Sequence, residues 1–115
     1  MGGSAGADAT AIAVDGAGAA YVLGGTESAD FPFRNPIPGY FGGDFVAKVN
    51  PGGTALVYAT GIMMHENDDF RCIAVDRAGQ VYAAGRMGPN PTDILALKLR
   101  EAANIVGALS LLLGD

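Results

Sequence analysis

The sequence has no tryptophan, one cysteine, one histidine, and only seven lysines and arginines against twelve aspartates and glutamates. Each shortage excludes something. Cys72 stands alone, so no intrachain disulfide can form, and its apolar run Cys72-Ile73-Ala74-Val75 predicts a small buried thiol. His65 has no second histidine at zinc-binding spacing and no serine or cysteine nucleophile in a recognisable elbow, so a catalytic constellation is missing and no enzyme activity is expected. The net charge of -5 and the scatter of the few basic residues argue against a nucleic acid or an anionic membrane as partner, because both require clustered Lys and Arg. Gly24-Gly25 and Gly39 to Gly43 lack the Lys-Ser/Thr of a phosphate loop and the dinucleotide fingerprint, and no cofactor is expected. The apolar stretch near Leu109 to Leu113 is far too short to span a bilayer. At the N-terminus no basic region followed by an apolar core marks a signal peptide, and residues 1-9 read as a flexible leader.

What is present points to short strands. Half the residues are hydrophobic and only 17% are charged, which argues against disorder. Eighteen glycines and six prolines supply many turns, and no long helical periodicity occurs before residue 92.

Ala11-Ile12-Ala13-Val14-Asp15-Gly16-Ala17-Gly18 reappears as Cys72-Ile73-Ala74-Val75-Asp76-Arg77-Ala78-Gly79, and the match continues through Tyr21 with Tyr82 and Gly24 with Gly85. Asp44-Phe45-Val46-Ala47 is echoed by Asp93-Ile94-Leu95-Ala96 after a shortened loop. In each copy an Asp-x-Ala-Gly turn joins two strands: Asp accepts local backbone N–H bonds and Gly takes the positive φ that closes the hairpin. Asn50-Pro51-Gly52-Gly53 joins two more, with Pro presetting φ at the second turn position and Gly52 suiting the third. The strands are apolar or small on both faces, which predicts sheets covered on both sides. The expectation is an all-β chain forming one structural domain: a first four-stranded antiparallel unit at 10-66 and a second, degenerate one at 67-115. In the second unit Arg100-Glu101-Ala102-Ala103 replaces the Asn-Pro-Gly-Gly turn, and Asp93 to Leu113 admits a helix. The repeat favours strands there, since Asn104 to Ser110 aligns with Thr54 to Thr60.

Three segments carry a further likeness: Ala13 to Thr26, Ser28-Ala29-Asp30-Phe31-Pro32, and Asp44 to Gly53 with Leu56-Val57-Tyr58. Together they resemble the seven-bladed β-propeller repeat family found in many bacterial proteins. The resemblance implies two consecutive blades completed by oligomerisation or by a partner chain, a scaffolding role, and an extracellular or cell-surface address. A lone blade pair leaves apolar faces bare, so self-association or association with other propeller blades is expected.

Two segments remain as candidate chemistry. His65-Glu66-Asn67-Asp68-Asp69 is the one cluster of ligand-type side chains, but it lacks the glycine and spacing of a calcium loop and reads as a solvated acidic connection, so no metal site is expected. The aromatic and Pro-rich excursion containing Phe31, Phe33, Tyr40 and Phe41 could stack on a sugar or grip a peptide, or it could pack between neighbouring blades. The expectations are a noncatalytic scaffold or protein-interaction module and, as the alternative, a carbohydrate-binding lectin assembled from two-blade subunits. Glycan or protein is the expected class of ligand, and the missing tryptophan weakens the lectin reading.

Overall fold

The computed structural model describes residues 6-27, 33-36, 41-63, 68-87, 94-102 and 105-113. Eight strands follow one another: β1 (Ala7–Val14), β2 (Ala20–Thr26), β3 (Phe41–Val49), β4 (Leu56–Met63), β5 (Asp68–Val75), β6 (Val81–Met87), β7 (Ile94–Ala102) and β8 (Ile105–Leu113). They form two antiparallel meanders, β1-β2-β3-β4 and β5-β6-β7-β8, and no helix occurs among the described residues. The segment that admits a helix is therefore a strand pair, with Ile94 to Ala102 facing Leu113 to Ile105 in continuous register. β1 begins at Ala7, inside the stretch read as leader, and β5 begins at Asp68, so Asp68 and Asp69 belong to a strand and not to an acidic loop. His65, Glu66 and Asn67 lie outside the described residues.

The repeated turn forms for the reason its residues suggest. Asp15 Oδ1 accepts N–H bonds from Ala17 and Ala19 at 3.0 Å each, and Gly18 takes φ +93°. Asp76 Oδ1 does the same for Ala78 and Gln80 at 2.9 Å, and Gly79 takes φ +81°. In the Asn-Pro-Gly-Gly turn the positive φ falls one residue later than the sequence suggests: Gly53 is at +71°, donating its N–H to the Asn50 carbonyl at 2.9 Å. Asn50 Oδ1 accepts from Thr54 and Ala55, so the loop is held open by one extra residue, and the register shifts at Lys48/Val49.

Cross-strand pairing defines two faces of each sheet, since residues paired directly share a side. On the first sheet one face, here called the front, carries Ala13, Tyr21, Lys48 and Tyr58 in one row and Ala11, Leu23, Val46 and Thr60 in the next. The back carries Ile12, Val22, Ala47 and Ala59. On the second sheet the repeat places Cys72, Ala74, Tyr82, Ala84, Ala96 and Lys98 on the front, and Ile73, Val75, Val81, Ala83, Leu97 and Leu99 on the back.

The two sheets stack front to back. One core cluster joins Tyr21, Leu23, Val46, Tyr58 and Ile62 of the first front to Phe70, Val81, Ala83, Leu95, Leu97 and Leu99 of the second back, with Ala11, Ile73 and Val75 packed against it. Burying a large apolar side chain in this way is worth roughly 1.5–3 kcal/mol. The closest approach is made by β5, which runs against β1 and β2. A polar clasp adds to it: Asp44 Oδ2 on β3 accepts the Phe70 N–H of β5 at 2.9 Å.

Candidate interaction surface

Front-to-back stacking of two units leaves the second front and the β1 strip of the first back uncovered by described residues, and both are apolar. On the second front, Cys72, Ala74, Tyr82, Ala84, Ala96 and Lys98 line a trough of about 550 Å³. On the first back, Ile12 and Val14 are 64% and 59% exposed, while their repeat mates Ile73 and Val75 are packed against the core. The expectation that every sheet is covered on both faces holds fully for one face of each, and on the first back for the β3–β4 side alone, where Phe45, Ala47 and Ala59 are buried. Cys72 is exposed and not a buried thiol, because it lies on the front that no other described strand covers.

The trough is built on a constellation that occurs twice. Tyr21 Oη donates to Asp15 Oδ2 at 2.8 Å, and Lys48 Nζ sits 5.4 Å from the Tyr21 ring centre. Tyr82 Oη donates to Asp76 Oδ2 at 3.0 Å, and Lys98 Nζ sits 5.4 Å from the Tyr82 ring centre. Aspartate thus fixes the tyrosine hydroxyl, and the ammonium lies over the ring as a cation–π pair. The Tyr21 hydroxyl, followed by the Ala19 and Ala17 N–H groups, holds the Asp15 carboxyl below the usual carboxylate range. The Gln80 N–H, then the Tyr82 hydroxyl, does the same for Asp76. Burial, aided by the Asp15 bond, raises the Tyr21 hydroxyl above its ordinary value.

The strand register places Lys98, and not Leu97, as the mate of Lys48, since Tyr21 pairs with Lys48 and Tyr82 with Lys98. The sequence match of Asp44–Ala47 with Asp93–Ala96 is displaced from this by one residue. A one-residue slip exchanges the faces of a strand, and the register that forms is the one that buries Leu95, Leu97 and Leu99 on the back and so sets Lys98 over Tyr82. Ile94 consequently takes the place of Asp44, and is 53% exposed.

The aromatic excursion behaves differently. Phe33 is exposed and, with Arg34, Ala55 and Leu56, lines a shallow hollow. Arg34 exchanges two backbone bonds with Ala59 on β4, at 2.9 and 2.8 Å, and Asn35 Nδ2 reaches the Val57 carbonyl at 3.3 Å. Residues 33-36 therefore lie along the outer edge of β4 and blunt it against further pairing. Phe41 opens β3, where its backbone pairs with Met63 on the opposite side of β4. Phe31 and Tyr40 lie outside the described residues. The backbones at Phe33 and Phe41 lie on opposite sides of β4, whereas the trough residues Cys72, Tyr82 and Lys98 were legible only as the uncovered copy of a repeated row.

Among the described residues no group of three or more His, Cys, Asp or Glu side chains is arranged to hold a metal ion. A polar depression formed by Asp8, Thr10, Glu27, Asp44 and neighbouring backbone lies at one end of the first sheet, where Asp44 is already committed to Phe70. No protein-family model, curated protein or solved structure matches this chain.

Proposed function

We propose that the chain is a noncatalytic scaffold or protein-interaction module made of two consecutive propeller blades, completed by further blades from other copies or from a partner chain. One observation carries the reading: two repeat-related sheets stack front to back, leaving an apolar front at one end and an apolar back at the other. Such a stack is heterologous, so each added unit covers one face and offers a new one until the rotation closes. Repeat units that cannot bury their faces alone are stabilised by neighbours in this manner. The Asp–Tyr–Lys row supports a structural role for the charged residues, because each of them is engaged with the tyrosine beside it.

Size-exclusion chromatography with light scattering tests the proposal. A mass at a multiple of the 11.6 kDa chain is expected. A folded 11.6 kDa monomer that persists at high concentration and binds no hydrophobic dye would refute it.

A further inference from the structure

We infer that the occupant of the trough is β1 of a second copy of this chain, seated head to tail. The inference rests on the scaffold reading and specifies which two faces meet. Within the chain, β5 lies against the first front and packs the partly buried Ile73 and Val75 there. The repeat mate of β5 is β1, whose Ile12 and Val14 are exposed, and the repeat mate of the first front is the exposed second front. Applying the internal relation once more sets Ile12 and Val14 of one copy onto Cys72, Ala74, Tyr82 and Ala84 of another. On the first back Ile12 and Val14 leave the β1 strip open, whereas Phe45, Ala47 and Ala59 at the β3–β4 side are already buried within the chain, so the contact between copies is confined to the β1 side and is smaller than the internal one.

The tyrosine gives the relation a second anchor. Tyr21 Oη lies 3.4 Å from where a β-carbon on Gly79 would stand, so the buried tyrosine abuts the glycine of the next turn. Tyr82 is the mate of Tyr21 and Gly18 the mate of Gly79, and the one atom within 4 Å of the Gly18 β-carbon position is Pro51 Cβ of the same sheet, at 3.6 Å. Tyr82 of one copy accordingly abuts Gly18 of the next. The contact between copies is weaker than the one within a chain, because Ile94 stands where Asp44 would supply the clasp, and Ala84 and Ala96 replace Leu23 and Val46.

Cys72 makes the placement measurable. In the Ile12→Cys variant, oxidation is expected to join position 12 of one copy to Cys72 of the next, giving a ladder or a covalent ring on a nonreducing gel, and Cys72→Ser in the same background is expected to abolish it. Ellman's reagent is expected to react with native Cys72 about tenfold more slowly in the assembled protein than in a dilute sample. Val14→Arg, on an exposed strand position, is expected to return the mass to 11.6 kDa with the β spectrum unchanged. If wild-type protein assembles but Cys72 stays fully reactive, or links only to another Cys72, the head-to-tail placement is wrong and the scaffold reading survives. If wild-type protein never exceeds one chain, both fail.

Discussion

Tyr21 and Tyr82 occupy the same position of a repeat, make the same bond to an aspartate and each lie under a lysine, yet one is fully buried and the other is 41% exposed. Local sequence is thus sufficient to build the row, and burial comes only from the sheet stacked in front of it. The pair separates what a residue contributes through its own strand from what it contributes through a neighbouring unit.

Truncation should expose that separation most strongly. In dilute, monomeric protein, Tyr21→Ala is expected to cost about 4 kcal/mol in urea denaturation, as for a large core side chain replaced by alanine. Tyr82→Ala in the same conditions is expected to cost about 1 kcal/mol, in line with a partly exposed position. Equal losses would show that the second front is covered in the monomer.

Glycines at matched positions should give the next largest effect. A β-carbon on Gly85 would overlap the Asp69 carbonyl oxygen and stand 2.6 Å from Phe70 Cα, so Gly85→Ala must displace the backbone of β5. The mate, Gly24, would meet the Asp8 carbonyl oxygen and the tip of the Phe45 ring, and the β1 residues Ala7 to Thr10 beside it are exposed. Gly85→Ala is expected to cost about 3 kcal/mol and Gly24→Ala about 2 kcal/mol, the typical scale of overpacking, because β1 has room to yield and β5 is held against the first sheet. Thermal or urea unfolding of the two variants checks the order.

The smallest effects are electrostatic. Both Asp15 and Asp76 are shifted down, so each stabilises the fold above the ordinary carboxylate value of about 3.9, and the contribution is lost as pH falls through the lower folded-state value. Tyr21 is shifted up, so its contribution is complete below about pH 10 and is lost as pH rises through the folded-state value. The tyrosine bond is the leading cause at Asp15, whereas a backbone N–H leads at Asp76. Tyr21→Phe should therefore raise the Asp15 midpoint more than Tyr82→Phe raises that of Asp76, read by carboxyl-carbon NMR. The reverse order would mean that burial does not strengthen the bond.

Much of this architecture was readable from residues. The Asp-x-Ala-Gly turns, the repeat and the strand content follow from short-range chemistry, and the strand reading of Asp93 to Leu113 follows from its alignment with the first unit. The register of β7 was not readable, because Asp44–Ala47 matches Asp93–Ala96 well in letters while the sheet aligns Lys48 with Lys98. The exposure of Cys72 was also hidden: its run is as apolar as a core strand, and a strand cannot signal whether a further unit stands in front of it.

Composition and order along the chain determined that it would form hairpins, where those hairpins would turn, and that the unit would be made twice. Only the tertiary structure decided which faces of the two sheets meet and which stay bare. Turn geometry is set by side chains reaching a few residues along the backbone, whereas covering a face depends on distant strands arriving in one register, which nearest neighbours in sequence do not specify.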